Sequence, residues 1–223
     1  MPAIQYKPAN DVSAIADFIA NTIKRKLKTQ KVLWLVSGGS ATDIAAKAAD
    51  AIASSPHANL TVTLTDERFG SIGHSNSNWQ KLLDAGFSLP QARLLPILTG
   101  KDRTATTAIF ADALHLAIRE ADFVFGLFGI GADGHTAGIL PHSNAVSFDK
   151  DVVDFTASDF ERITITPRVI EAIDEAAVYA VGTTKWPAIA QLQADIAVAQ
   201  QPAQALKHIP VLTIFTDYKG ETQ

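Results

Sequence analysis

The sequence predicts a three-layer α/β fold, a mostly parallel sheet covered by helices on both faces. Three observations lead there. Lys31–Val36 (KVLWLV) and the run opening at Phe123 (FVFGLFG) are apolar without alternation, as strands buried on both faces are. Strands and helices alternate along the chain, which implies crossover connections and parallel pairing. Four of the strands run straight into short polar segments, and in a parallel sheet such ends share the edge where ligands sit.

The elements follow in order. Asp11–Lys28 is predicted helical, with Val12, Ile15, Ile19, Ile23 and Leu27 in one stripe; its Lys24–Lys28 charges suit a helix C-terminus. The Lys31 strand ends in Ser37-Gly-Gly-Ser40, and Thr42–Ala53 is an Ala-rich helix with Asp43 in its first turn. Leu60–Thr65 is a strand that meets three charges, Asp66-Glu67-Arg68. After a polar loop over Gly70–Asn78, Trp79–Ala85 reads as a short helix closed by Gly86. Arg93–Leu98 is an edge strand, because Pro96 cannot donate to a ladder. Thr104–Glu120 is a helix in which His115 is a packed or surface residue, and the Phe123 strand follows.

Ala145–Phe160 has no decisive pattern and stays unassigned between strand and loop. Arg162–Thr166 (RITIT) alternates as a half-exposed strand, and Pro167 opens a helix reaching about Glu175. Ala176–Val181 is an apolar strand ending in Gly182-Thr-Thr-Lys185. Trp186–Ala199 is predicted helical, Pro202–His208 a short helix, and Pro210–Phe215 the last strand before Asp217.

With 223 residues, 47% of them apolar, the chain can bury a substantial core and reads as one domain over residues 1–223. A net charge of −4 argues against a nucleic-acid surface. Without cysteine there is no disulfide, zinc-thiolate site or Cys nucleophile. Met1–Lys7 lacks the basic-then-apolar order of a signal peptide, and no apolar run approaches the roughly 18 residues of a membrane span. A cytoplasmic protein with no membrane partner is expected.

Gly129–Gly134 formally matches the G-x-G-x-x-G dinucleotide fingerprint. That motif needs a helix starting at its third glycine in an early βαβ unit. Here the run comes late, and Pro141 leaves room for little more than two turns. The glycines instead let the backbone turn sharply and present Asp133 and His135. Ser37–Ser40 is placed to aim backbone N–H groups at an anion, although an ordinary βα turn would also explain it. A solvated turn explains Asp66–Arg68 less well, since it holds no Gly, Asn or Pro. Lys185 sits where a helix begins, an unfavourable place for a cation without an anionic ligand. His142 is read as a surface residue.

Together these segments resemble the 6-phosphogluconolactonases, within the broader glucosamine-6-phosphate isomerase/deaminase group. The resemblance rests on Ser37–Ser40, Asp66–Arg68 with Ser77-Asn78, Gly131–Ala137 (GADGHTA) with Pro141, Arg162–Thr166, Gly182–Lys185 and Pro202–Leu206. It runs from about Val32 to Asp217. Ala41-Thr42, Gly70, Asn76 and Ile139-Leu140 depart from the family's commoner residues. The deaminase branch carries an Asn-Glu pair where Ile139-Leu140 stand, so the resemblance favours lactone hydrolysis over deamination.

It implies a Rossmann-like fold of the NagB/RpiA/CoA-transferase-like kind and hydrolysis of 6-phosphogluconolactone in the pentose phosphate pathway. No metal or other cofactor is expected, and the partner is a small phosphorylated sugar lactone bound by a monomer or small homo-oligomer. Phosphate binding is expected from Ser37, Gly38, Gly39 and Ser40, with Arg162 and Lys185 neutralising the dianion. His135 is the expected base, since imidazoles titrate at about 6.5. Asp133 would orient that ring or bind hydroxyls, Arg68 would stabilise the oxyanion, and Asp66 and Asn78 would bind hydroxyls or hold the loop. A sugar-phosphate-sensing module is the non-enzymatic alternative; it would need a second, DNA-binding domain.

Overall fold

The computed structural model describes residues 4–147 and 149–220. Residues 1–3 of the segment read for a signal peptide, and Phe148 of the unassigned stretch, lie outside them. In chain order the elements are β1 (Gln5–Pro8), α1 (Val12–Leu27), β2 (Val32–Val36), α2 (Thr42–Ala53), β3 (Leu60–Leu64), β4 (Asp66–Arg68), α3 (Asn78–Asp84) and β5 (Arg93–Leu95). There follow α4 (Arg103–Glu120), β6 (Phe123–Gly129), β7 (Val152–Thr156), β8 (Glu161–Ile165), α5 (Pro167–Ile170), β9 (Glu175–Ala180), α6 (Trp186–Ala190) and β10 (Val211–Thr216).

Seven strands form one sheet in the order β1-β10-β9-β6-β2-β3-β5, every neighbouring pair parallel. All of β2 and the first six residues of β6 are buried, so helices cover the centre of the sheet on both faces. The third layer was legible in α1: Asp11 caps it by accepting the Ser13 and Ala14 N–H groups at 2.9 and 3.0 Å, and Ile15, Ile19 and Ile23 are buried.

From β2 the chain steps outward to β3 and β5, then returns to place β6 on the other side of β2 and continues through β9 and β10. The direction of winding therefore reverses between β2 and β6. Such a reversal splays the two following loops apart and leaves a crevice beyond the strand ends. Ser37 and Ile130 begin those two loops.

A second sheet corrects the reading of three segments. Asp66–Arg68, expected as a polar segment at a strand end, is itself a strand, paired antiparallel to β8, which also pairs with β7 from the unassigned stretch. Nor is Arg162–Thr166 half exposed, since Arg162 through Thr166 are all buried. Its alternation reflects two covered faces: Ile163 and Ile165 join the core, while Arg162 and Thr164 share the opposite face with Asp66 and Arg68.

Two helices are shorter than predicted. The first stops at Ile170, because the Asp174 N–H reaches the Val124 carbonyl at 3.0 Å and Glu175 already belongs to β9. The second stops at Ala190. Beyond it, side chains take carbonyls that further helical turns would use: Gln201 donates to Ala188 at 2.7 Å and Gln204 to Gln191 at 3.0 Å. The edge strand β1 was not foreseen, for QYKP carries no periodic pattern and becomes a strand only by pairing with β10.

Candidate active site

The four polar segments meet. A cavity of about 400 Å³ opens beyond the ends of β9, β6, β2 and β3, and ten of the eleven residues singled out by sequence line it: Ser37, Gly38, Gly39, Ser40, Asp66, Arg68, Asn78, His135, Arg162 and Lys185. Asp133 does not line it. It stands behind His135, its Oδ1 2.6 Å from the ring Nδ1 and 3.1 Å from the His135 backbone N–H.

A carboxylate can only accept, so the contact fixes the proton on Nδ1 and leaves Nε2 as the ring's basic nitrogen. Partial burial pushes the Asp133 pKa up. The His135 backbone N–H, the ring's charge and the ring N–H outweigh it and hold the carboxyl below its ordinary value of 3.8.

The backbone around this pair leaves little slack. A Cβ on Gly131 would lie 2.2 Å from His135 Cε1 and Nδ1 and 2.7 Å from Asp133 Oδ1, so only glycine lets the turn close over the ring. The Gly131 N–H donates to the His135 carbonyl at 2.9 Å, and the Gly134 carbonyl accepts the Ala203 N–H at 2.9 Å. The segment Pro202–His208 thereby braces the Asp-Gly-His turn. No helix starts at Gly134, which ends the dinucleotide reading; turns occupy residues 132–134 and 137–138. Ala137 holds φ +50°, a left-handed conformation costly for a residue with a Cβ, and it lines the cavity. Next to it, Gly138 donates to Thr164 Oγ1 at 3.0 Å.

On the β2 side, the Ser37 N–H is taken by the Leu127 carbonyl at 2.9 Å, so the turn's offer of backbone to the cavity starts at Gly38. Gly39 has φ +68° and opens a short 3₁₀ turn into α2. The Ser37 hydroxyl lies 2.8 Å from Thr65 Oγ1, which donates to Asp66 Oδ1 at 3.1 Å. Thr65 has one proton to give, so Ser37 is the donor in the first contact. Asp66 Oδ2 accepts from Asn78 Nδ2 at 3.2 Å. Asn78 Oδ1 is buried, finds no partner among the described residues, and sits against Gly38, where a Cβ would come within 2.3 Å.

The wall opposite is cationic. Arg68 and Arg162 are register partners across β4 and β8, and their guanidinium carbons lie 5.4 and 5.9 Å from the ring of Phe160. The Nε of each is buried without a partner among the described residues. Arg68 Nη1 donates to the Asn76 carbonyl at 3.1 Å, and Arg162 Nη2 to Asp159 at 2.7 Å. Lys185 ends the 3₁₀ turn Thr183–Lys185; burial pulls its pKa below 10.5, partly opposed by Asp217. Asp217 fixes the start of that turn by accepting the Gly182 N–H at 3.1 Å and Trp186 Nε1–H at 3.0 Å.

The sequence offered no role for Asp159 and Phe160, which fell in the unassigned stretch, nor for Glu67. The Glu67 carboxylate is wholly buried and accepts from Arg68 N–H, Ser77 Oγ–H, Asn78 N–H and Trp79 N–H at 2.6 to 3.0 Å. It anchors the start of α3 and so holds Asn78 in the cavity wall. The signal was present in Ser77-Asn78 opening a helix, but its acceptor lies ten residues upstream. Gly70, one of the departures noted above, has its reason too: a Cβ there would meet the ring of His74 at 2.9 Å, and that ring bonds the Arg68 carbonyl at 3.0 Å. His142 and His115 are exposed, and neither lines the cavity.

A family model described as glucosamine-6-phosphate isomerases/6-phosphogluconolactonase matches residues 7–213. The chain belongs to that family. It is similar to a 6-phosphogluconolactonase of Synechocystis sp. (strain ATCC 27184 / PCC 6803 / Kazusa), 27% identical over 167 residues that make up 68% of each protein. Of solved structures, it is similar to the 6-phosphogluconolactonase from Thermotoga maritima, with a TM-score of 0.82 at 18% identity over 97% of this chain and 99% of that one. It is also similar to a monomeric glucosamine-6-phosphate deaminase, with a TM-score of 0.77 at 17% identity over 97% and 98% of the two chains. At such identities the likeness is one of fold, and both branches of the family share it.

Proposed function

We propose that this chain hydrolyses 6-phosphogluconolactone to 6-phosphogluconate. The observation that carries the reading is the Asp133–His135 contact of 2.6 Å at the border of a cavity whose other wall holds two arginines, Arg162 buried and Arg68 half-buried. A base and an anion grip on one cavity suit an uncharged electrophile attached to a phosphate.

In this reading the phosphate lies against Gly38–Ser40, Arg162 and Lys185, and Asp66 and Asn78 take sugar hydroxyls. His135 Nε2 removes a proton from water as the water oxygen bonds to C1, and Arg68 stabilises the oxyanion that forms there. The C1–ring oxygen bond then breaks, the carbonyl re-forms as a carboxylic acid, and the imidazolium returns its proton to the departing ring oxygen. Asp133 keeps the ring in the tautomer this requires. The deaminase reading lacks support at Ile139 and Leu140, where the structure supplies a wholly buried apolar side chain and a leucine instead of a carboxylate.

The test is a rate measured on freshly prepared lactone, taken as the excess over spontaneous hydrolysis in buffer. Glucosamine 6-phosphate is run beside it for ammonia release. His135→Ala is expected to lose about 10²–10⁴ of the acceleration while still binding inorganic phosphate. Near-wild-type turnover in that variant would reject the base assignment, and ammonia release would move the chain to the deaminase branch.

A further inference from the structure

We infer that Asp159 is a resident counter-ion of the anion site, one that yields Arg162 to the substrate's phosphate and thereby sets the affinity and charge selectivity of the site. The inference rests on the phosphate reading given above. Asp159 belongs to the short loop between β7 and β8, closed by the Ala157 N–H on the Phe160 carbonyl at 2.9 Å. Its Oδ2 accepts from Arg162 Nη2 at 2.7 Å and its Oδ1 from the Phe160 N–H at 2.9 Å.

The two partners of this ion pair are unequally held. The Arg162 side chain is 11% exposed and packed beside Phe160, whereas that of Asp159 is 49% exposed. Arg162 is fixed; Asp159 can turn to water. Its loss from the pair costs little, since a half-exposed carboxylate regains solvent and such pairs are weak.

The charge balance of the cavity supports an exchange. Three cations line it, Arg68, Arg162 and Lys185, against two carboxylates, Asp66 and Asp159. Asp66 is 5% exposed and held by Thr65 and Asn78, so it stays. With Asp159 in place the wall carries one net positive charge, and with Asp159 turned away it carries two. Two match a phosphate dianion. Without a counter-ion, two arginines directly opposite on neighbouring strands would repel at close range. Asp159 relieves that repulsion and competes only with ligands able to replace it, so an uncharged sugar gains nothing by displacing it.

Inorganic phosphate titrated calorimetrically into the wild-type chain, Asp159→Asn and Asp159→Glu tests this, together with KM for the lactone. Asp159→Asn is expected to bind phosphate roughly two- to fivefold more tightly, at least the span of ion pairs exposed on both sides, since only Asp159 here is half-exposed. KM for the phosphorylated lactone should fall by the same factor, raising kcat/KM, and Asp159→Glu should stay near wild type. Unchanged or weaker phosphate binding in Asp159→Asn would overturn the inference, as would a rise in KM, the result expected of a carboxylate that bonds sugar hydroxyls. A wild-type chain that neither binds phosphate nor accelerates lactone hydrolysis would overturn the functional reading itself, and this inference with it.

Discussion

Arg68 and Arg162 stand directly opposite each other on the antiparallel strands β4 and β8, both beside the ring of Phe160, and the Nε of each is buried without a partner among the described residues. Like charges at that position oppose pairing of the strands. Asp159 on Arg162 offsets part of that cost, and on the proposed reading a bound phosphate would offset more.

The first prediction follows from that cost. Arg162→Gln should raise KM for the phosphorylated lactone about ten- to hundredfold, the equivalent of one lost charged hydrogen bond of roughly 1.5–3 kcal/mol. The melting temperature should change little, because the like-charge pair and the ion pair with Asp159 are lost together. Calorimetric melting beside steady-state kinetics decides it; a lower melting temperature with KM unmoved would make Arg162 a structural residue.

Gly131 tests the closure of the turn over the imidazole. Gly131→Ala brings a methyl within 2.2 Å of the His135 ring, so the ring must leave its place against Asp133. Turnover should drop by at least about tenfold, as expected when a positioned base is misplaced. Phosphate binding, carried by other elements, should persist. Equal loss of both in parallel titrations would point to a general disturbance of the cavity.

Glu67 supports the site from outside it. Glu67→Ala strands buried donors from Ser77, Asn78 and Trp79, each worth about 1–3 kcal/mol if left unmet. Solvent reaching the emptied space offsets part of this, and a loss of roughly 2–4 kcal/mol is expected, lowering the melting temperature on the order of 10 °C. Burial pushes the Glu67 pKa above 4.5, and the four hydrogen bonds pull it only partway back. A raised folded-state pKa means the fold binds that proton more tightly than the unfolded chain does. The resulting stabilisation is present below pH 4.5 and disappears as pH rises through the raised value. Urea unfolding at a series of pH values should therefore give a flatter curve for Glu67→Gln over that interval.

On the proposed reading, Lys185 would make anion binding sensitive to alkali. Burial depresses its pKa below 10.5, so its charge is lost at a lower pH than a free lysine's. Phosphate affinity should weaken as pH rises through that depressed value, while Lys185→Arg, which keeps its charge, should remove the decline. Titrations with inorganic phosphate avoid the lactone's own breakdown in base. Parallel profiles for the two proteins would exclude Lys185 from the anion site.

Local, periodic features were legible in the residues alone. Unbroken apolar runs at Val32–Val36 and Phe123–Phe128 announced strands covered on both faces, and their abrupt change to Gly, Ser, Asp and His marked the ends where chemistry gathers. Even the parallel arrangement was legible, because alternating strands and helices leave a chain few other ways to fold. Tertiary structure decided what depends on partners distant in sequence. QYKP became a strand through β10, Asp66–Arg68 became one through β8, and the helix after Trp186 ended where Gln201 and Gln204 claimed its carbonyls. The same holds inside the site: spacing put Asp133 and His135 two residues apart, but whether carboxylate and ring would touch depended on Gly131 leaving room. Hydrophobic periodicity records which face of an element is buried; it carries no record of which distant hydrogen-bonding group or charge will be buried against it.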